Sequence, residues 1–414
     1  MDFIPYNSRL SYHKYPFGAV KNGEEVTIRI VMPRSFCCTG ASLVLTHDGG
    51  ETEMHPMTWE RMEGNSEEWW TVTFAPEKCG LYWYHFAVAN KNGGRLITKF
   101  SGSTGRISPD GTSFQLTVYS KDFSTPDWIK GSVIYQIFPD RFASSGTKKR
   151  NIPSERVLRN DWGGAPMWEP DSEGRITKYD FFGGDFKGIE QKLDYIKSLG
   201  VGCIYLNPIF EAHSNHRYDT ADYEKTDPLL GTEKQFSDLC KSAEKKGIKI
   251  ILDAVFNHTG NDSKYFNEYN TYPNKGAYQG EDSKYFPFYR KNNDSFDYWW
   301  GMKNLPVCDG DSKEWQNYIY GVGGVIDLWF SYGIDGLRLD VADELTDEFI
   351  EGIRMAVKRN KPDGFILGEV WENPMRMNRT YISSGKAMDS VMNYQLVNAL
   401  IRYYKYGDCD ILRN

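Results

Sequence analysis

The sequence predicts an α/β protein in which an all-β domain precedes strands that alternate with helices around a parallel sheet. Three observations carry that prediction. Residues 1–125 hold short runs of alternating apolar and polar residues broken by Gly, Asp and Asn turns, the pattern of an antiparallel β-sandwich. From Ser132 onward, short apolar runs alternate with amphipathic stretches, which argues for a parallel sheet, closed into a barrel or left open. Three of the later apolar runs end in an acid: Asp253, Asp340 and Glu369.

In the first domain, strands are expected from Glu25 to Val31, Ala41 to Leu45, Trp69 to Phe74, Tyr82 to Val88 and Phe114 to Tyr119. β-Branched and aromatic residues dominate these runs, and His47-Asp-Gly-Gly50 and Asn90-Lys-Asn-Gly-Gly94 supply the turn residues. Ser124-Thr-Pro-Asp127 reads as the linker. Beyond it, Val133 to Phe138 is strand-like and leads into a long polar loop. Helical apolar spacing runs from Ile189 to Leu199 and stops at Gly200. A strand from Cys203 to Leu206, a helix from Glu233 to Lys246 and a strand from Lys249 to Asp253 follow.

Between about residues 258 and 312 this rhythm gives way to a stretch rich in Tyr, Asn, Asp and Gly that includes Tyr298-Trp-Trp-Gly301. An irregular segment of that length is functional or a small subdomain. A helix from Glu314 to Tyr332, strand Gly336 to Val341, helix Glu348 to Arg359, strand Phe365 to Val370, strand Ala387 to Met392 and helix Tyr394 to Tyr406 complete the reading. That makes about six strand-and-helix units, where a closed barrel has eight.

A chain of 414 residues is too long for one core, so two or three domains are expected. The formal charge of -7 leaves no basic footprint for nucleic acid, and a neutral substrate fits better. Aromatic residues make up 15% of the chain, and flat apolar faces of this kind stack on sugar rings as well as filling cores. The 7 cysteines have no metal-type spacing, which points to reduced thiols in a cytoplasm. The start resembles no secretory signal, and no apolar run approaches the roughly 20 residues that cross a bilayer. The expected protein is therefore cytoplasmic, with neither membrane nor nucleic acid among its partners.

Asp340 and Glu369 are the candidate chemical groups. Hydrolysis of a glycosidic bond needs a protonated acid at the leaving oxygen and a carboxylate facing the anomeric carbon, and two acids on consecutive strand ends supply both types. Arg338 stands two residues before Asp340, so on an extended strand both side chains point the same way. A guanidinium there is expected to hold Asp340 ionised. Glu369 needs a pocket that keeps it protonated, to which Trp371 would contribute.

Asp253-Ala-Val-Phe-Asn-His258, Gly336-Leu-Arg-Leu-Asp-Val-Ala-Asp-Glu344 and Gly368-Glu-Val-Trp371 resemble, in order, the first three signature regions of the alpha-amylase family of glycoside hydrolases. The resemblance runs from about Val133 onward. It implies a (β/α)8 TIM barrel, incomplete in this chain, with an inserted subdomain after strand 3. The expected domains are then 1–125, a starch-binding-like sandwich; 126–257, the first part of the barrel; 258–312, the insert; and 313–414, the barrel continued but ending before strands 7 and 8.

The resemblance also assigns roles. Asp340 would be the nucleophile of a retaining mechanism and Glu369 the general acid and then base. Arg338 would position the nucleophile, His258 would bind sugar hydroxyls, Tyr218 would stack on the sugar, and Asp253 would orient Arg338. Within the family, Val133-Ile-Tyr-Gln-Ile-Phe-Pro-Asp-Arg-Phe142 and Trp299-Trp-Gly-Met-Lys-Asn-Leu-Pro306 look most like neopullulanases, cyclomaltodextrinases and amylopullulanases. Asp343-Glu344 stands where common alpha-amylases carry Lys-His, which favours the same group and places both acids among the substrate-binding candidates.

The implied partner is an alpha-glucan such as starch, a maltooligosaccharide, a cyclodextrin or pullulan, with a homodimer through the N-terminal domain left open. No cofactor is required by this reading. Many relatives bind calcium in a loop after the first strand, but Ala143-Ser-Ser-Gly-Thr-Lys-Lys-Arg150 has cations in place of carboxylates. Asn257 is the remaining candidate metal ligand. The family's fourth region, an Asn-His-Asp that supplies a third carboxylate, occurs nowhere in the 414 residues. A longer reading frame is expected to supply it, and the 414 residues alone are expected to have little activity. Two alternatives stay open: a non-catalytic glucan-binding protein, and a transglycosylase using the same intermediate.

Overall fold

Asp253 and Arg338 face each other across two parallel strands in a computed structural model that describes residues 3–149, 152, 154–169, 179–293, 295–371 and 385–409. The chain divides into two compact units, one built on Met1–Ser124 with Trp371–Ala387 and Asn393–Asn414, the other on Thr125–Val370 with Met388–Met392. Arg150 of the lysine-rich loop, and 372–384 and 410–414 of the expected span 313–414, lie outside the described residues.

In the first unit the five expected strands are present as Val26–Pro33, Gly40–His47, Glu67–Phe74, Gly80–Asn90 and Phe114–Tyr119. Their inward residues, among them Ile28, Ile30, Leu43, Leu45, Tyr84, Phe86, Leu116 and Val118, are buried in one shared core. Each such apolar side chain contributes about 1.5–3 kcal/mol by leaving water. A further long strand, Thr52–Glu63, pairs with Gly40–His47 through its first half and with Glu67–Phe74 through its second. It ties the two halves of the sandwich together. Its sequence hides it, because Met57 is its only buried side chain and the strand is held by backbone pairing.

The second unit is built on a six-stranded sheet that we number β1 (Val133–Ile137), β2 (Val201–Leu206), β3 (Lys249–Ala254), β4 (Gly336–Leu339), β5 (Phe365–Gly368) and β6 (Ser390–Val391). All neighbours are parallel and their spatial order is their chain order. A doubly wound sheet reverses direction at a switch point. This sheet does not, and so it is an arc of a (β/α) barrel. β4 and β5 are buried along their whole length, and β5 reads as a continuous apolar run while β4 is broken only by Arg338.

Helices cover the arc where their caps allow. Glu233–Lys245 begins in a capping box between Thr232 and Gln235, and Asp347–Asn360 begins where Thr346 accepts from Phe349 N–H. Two expected helices are each broken. The span Glu314 to Tyr332 is two helices, Lys313–Tyr320 and Val325–Ser331, because Gly321-Val-Gly-Gly324 interrupts it with Gly323 at φ 77°. Ile189 to Leu199 is likewise split at Lys192 into Phe186–Gln191 and Leu193–Ser198. The strand expected from Ala387 to Met392 shortens to β6.

The two ends of the sheet use their acids differently. At strand starts, buried Asp335 accepts from Ile250 N–H at 2.9 Å and pairs with Lys249 at 3.0 Å, while buried Asp389 pairs with Arg354 at 2.8 Å and accepts from Ile366 N–H at 3.0 Å. These contacts pin strands to helices and loops. At strand ends the acids turn toward one another, and that is the face on which barrels carry chemistry.

Candidate active site

Arg338 is the centre of the strand-end cluster. Cα register pairs it with Asp253 on β3 and Leu367 on β5. The ladder continues past the strands, since Asp340 N–H donates to Ala254 O at 3.2 Å and Glu369 N–H to Leu339 O at 2.9 Å. One buried guanidinium consequently meets three carboxylates. Nη1 donates to Asp253 Oδ1 at 2.8 Å and to Asp340 Oδ1 at 2.6 Å, and Nη2 lies 2.8 Å from Glu369 Oε2.

A single cation cannot neutralise both buried aspartates. Burial pushes Asp340 and Asp253 above the ordinary carboxylate range; for Asp340 the Asp253 charge adds to this and Arg338 opposes it. The expectation that Arg338 keeps Asp340 low counted one neighbour only. Burial and the second carboxylate outweigh it.

Backbone strain accompanies the pair. Val341 has φ 39° and ψ 49°, a conformation that is a true outlier for a β-branched residue. In it, Val341 N–H donates to Glu369 Oε2 at 3.0 Å, and Ala342 N–H donates to Glu369 O at 3.0 Å. The residue after Asp340 is thereby bent to hold Glu369.

Asp253 is held from its other side. Tyr205 OH donates to Oδ2 at 2.5 Å and Tyr218 OH at 2.9 Å, while Asn207 Nδ2 donates to Tyr218 OH at 2.9 Å. Tyr218 reaches this position on a loop anchored by buried Asp227, which pairs with Arg217 at 3.3 Å and Arg156 at 3.1 Å. His258 is buried, and burial with the neighbouring His216 charge drives its imidazole down to about 4. Its Nε2 is buried and has no hydrogen-bond partner among the described residues. Its ring stacks on Trp299 with centroids 5.0 Å apart and planes 23° apart.

The remaining candidates lie nearby in sequence but differ in surroundings. Asp343 and Glu344 form a 3-10 turn after Asp340, and Glu344 accepts from both Trp299 Nε1 and Trp300 Nε1. Asn257 is buried in the turn leaving β3, with its carbonyl accepting from Cys308 N–H at 2.9 Å. Among the described residues no group of three or more His, Cys, Asp or Glu is arranged to hold a metal. In the lysine-rich loop, Lys149 Nζ pairs with Asp185 Oδ2 at 2.7 Å. Trp371, expected beside the acid, stacks face to face on Tyr394 at 4.2 Å.

Sequence reasoning gave no role to Tyr205, Asn207 or the Trp299–Trp300 pair. Tyr205 carried a signal, as a hydroxyl in an otherwise aliphatic strand. Asn207 carried none. Beside the Tyr218 loop lies a hollow of about 940 Å³ lined in part by Tyr179, His213, Asp219, Asp262, Tyr269 and Tyr272. Burial and Asp219 raise Asp262 there to about 7.

Comparison with known proteins bears on the fold and the family. Residues 136–412 match the family model described as alpha amylase, catalytic domain. The amylopullulanase of Thermoanaerobacterium saccharolyticum is 37% identical over 97% of this chain, and the cyclomaltodextrinase of Geobacillus thermopakistaniensis (strain MAS1) is 34% identical over 87%. The chain spans 34% of that amylopullulanase and 58% of that cyclomaltodextrinase. Among solved structures, a cyclomaltodextrinase superposes with TM-score 0.63 at 27% identity, over 99% of this chain and 67% of the other. The type III pullulan hydrolase from Thermococcus kodakarensis does so with TM-score 0.58 at 27% identity, over 99% and 69%.

Proposed function

The chain belongs to the alpha-amylase family, and on that premise we propose that it is a retaining glycoside hydrolase of alpha-glucans. One observation carries the proposal: Asp340 and Glu369, from consecutive strand ends, share the two terminal nitrogens of Arg338. That holds two carboxyl groups side by side, and retaining enzymes need them about 5 Å apart. Asp340 attacks the anomeric carbon while Glu369 gives its proton to the leaving oxygen. Water then returns a proton to Glu369 as its oxygen displaces Asp340 from the sugar, so the enzyme ends unchanged.

Other residues fit supporting parts. His258, whose Nε2 has no partner among the described residues, binds a sugar hydroxyl at the cleaved ring, and Tyr218, held by its hydroxyl on Asp253, stacks on the sugar. Relatives named as amylopullulanase, cyclomaltodextrinase and neopullulanase suggest pullulan, maltodextrins and cyclodextrins as substrates. A relative named as an intracellular maltogenic amylase supports a cytoplasmic setting, and no helix among the described residues is long and apolar enough to cross a membrane. Lys149 on Asp185 supplies the loop's cation from the chain itself, so calcium is not needed there.

The family's third carboxylate has no counterpart motif in the 414 residues, and we expect these residues alone to hydrolyse glucans weakly or not at all. Incubating the complete gene product with pullulan, β-cyclodextrin and starch tests the function. Release of panose, maltose or isopanose is expected. Absence of any product from all three would refute it.

A further inference from the structure

We propose that Asn207, itself oriented by Gln136, is a positioning residue of the reaction: it fixes the Tyr218 ring against the cleaved sugar and aims the Tyr218 hydroxyl at Asp253. The proposal rests on the alpha-glucan reading above and extends it to two residues outside the carboxylate cluster. Its first support is an unbroken run of hydrogen bonds across the sheet. Gln136 Nε2 on β1 donates to Asn207 Oδ1 at 3.0 Å, Asn207 Nδ2 donates to Tyr218 OH at 2.9 Å, and Tyr218 OH donates to Asp253 Oδ2 at 2.9 Å. Asp253 Oδ1 in turn accepts from Arg338 Nη1 at 2.8 Å, and the same nitrogen donates to Asp340 at 2.6 Å. The first strand of the sheet is thereby linked to the acid on the fourth.

The second support is direction. Asp253 is ringed by donors, with Arg338 on Oδ1 and the Tyr205 hydroxyl on Oδ2 at 2.5 Å, so it accepts from Tyr218 as well. A tyrosine hydroxyl has one proton, and Asp253 takes it. The oxygen of Tyr218 must then accept from its other neighbour, which the amide nitrogen of Asn207 allows and an amide oxygen would not. Gln136 settles which end of that amide faces Tyr218, because its own N–H occupies the amide oxygen. Hydrogen bonds polarised the same way strengthen one another.

The third support is that Tyr218 is anchored at both ends. Its predecessor Arg217 sits at φ 63°, where long side chains are uncommon and persist when their surroundings hold them. Arg217 Nη1 donates to Asn215 O at 2.8 Å and Nη2 pairs with buried Asp227 at 3.3 Å, which fixes the backbone end. Asn207 and Asp253 fix the hydroxyl end. The sheet does not need the Asn207 amide, since its contribution there is the backbone N–H that donates to Ile137 O at 3.0 Å. A buried amide is unfavourable unless hydrogen-bonded, and buried Asn207 uses its two ends on Gln136 and Tyr218.

The test compares maltotriose hydrolysis by the complete gene product with that by Asn207→Leu, Tyr218→Phe and the double variant. Asn207→Leu keeps the size of the side chain and removes both hydrogen bonds. It should lower kcat about tenfold with KM little changed, because ring placement matters most as the sugar distorts toward the transition state. The thermal midpoint should stay near the parent's. Adding Asn207→Leu to Tyr218→Phe should lower kcat by less than about twofold further, since the hydroxyl through which Asn207 acts is already gone. Gln136→Leu, at the exposed start of the run, leaves Asn207 in place and should lower kcat by a smaller factor. A parental kcat in Asn207→Leu, or in Gln136→Leu should Asn207→Leu not fold, overturns the positioning role. A loss in the Tyr218→Phe background equal to that in the parent overturns the route through the hydroxyl, because a general structural defect gives that result. A parent that hydrolyses no glucan overturns the alpha-glucan reading, and the positioning role with it.

Discussion

Arg338 Nη2 lies 2.8 Å from Glu369 Oε2. The arginine that sequence spacing places beside Asp340 therefore holds Glu369 as well, and Asp253 too at 2.8 Å. Arg338→Lys keeps a charge but replaces a planar fork by a point donor. It should lower kcat of the complete gene product on maltotriose by about 10²-fold. Arg338→Met leaves buried carboxylates uncompensated and should destabilise the fold by about 3–5 kcal/mol, read as a lower urea midpoint.

His258 predicts an acid sensitivity of known sign. Its folded pKa of about 4 lies below the unfolded value of about 6.5, so the unfolded chain binds the proton first. Its contribution to stability is complete above pH about 6.5 and is lost as pH falls toward 4, by at most about 3 kcal/mol. Urea unfolding of the parent and of His258→Asn at pH 7, 5.5 and 4.5 isolates this share, because the other buried acids remain in both. The stability difference between the two should shrink as pH falls.

Gly336 tests the coupling between β4 and β5. A Cβ added there would stand 2.1 Å from Phe365 O, a backbone atom that cannot yield without moving the strand. Gly336→Ala should cost about 1–3 kcal/mol or more and reduce kcat together with stability. A variant with parental thermal midpoint would contradict the tight β4–β5 register.

Lys149→Ala addresses the cation in the loop after β1. If the Lys149–Asp185 pair stands where a metal would, excess EDTA should leave the parent's thermal midpoint unchanged. Lys149→Ala should lower it, with calcium restoring at most part of the loss. A midpoint that drops when EDTA is added to the parent would contradict this.

How much of this was legible in the sequence follows from where the apolar residues sit. β3, β4 and β5 announced themselves because strands buried on both faces are mainly apolar runs, Arg338 apart, and each leads to an acid at Asp253, Asp340 or Glu369. Thr52–Glu63 did not, because a strand held by backbone pairing needs no apolar pattern. The break at Gly321-Val-Gly-Gly324 was visible as glycines, yet the apolar spacing on either side masked it. In the site, residue types and strand positions marked the acids and Arg338. The reach of Arg338 to Glu369, the bend at Val341 and the Glu344 hydrogen bonds to two indoles depend on side-chain direction across strands and loops far apart in sequence, where no periodicity exists to read.

The central claim is that Asp340 and Glu369 divide the chemistry as nucleophile and acid. An activated 2-fluoro or 5-fluoro alpha-glucosyl fluoride offered to the Glu369→Gln variant of the complete gene product needs no acid to lose its leaving group, so the glycosyl-enzyme should accumulate. Peptide mass spectrometry should find one added glycosyl group on Asp340 and none after Asp340→Asn. A label on any other residue, or an Asp340→Asn variant that labels as fast as its parent, would contradict the assignment.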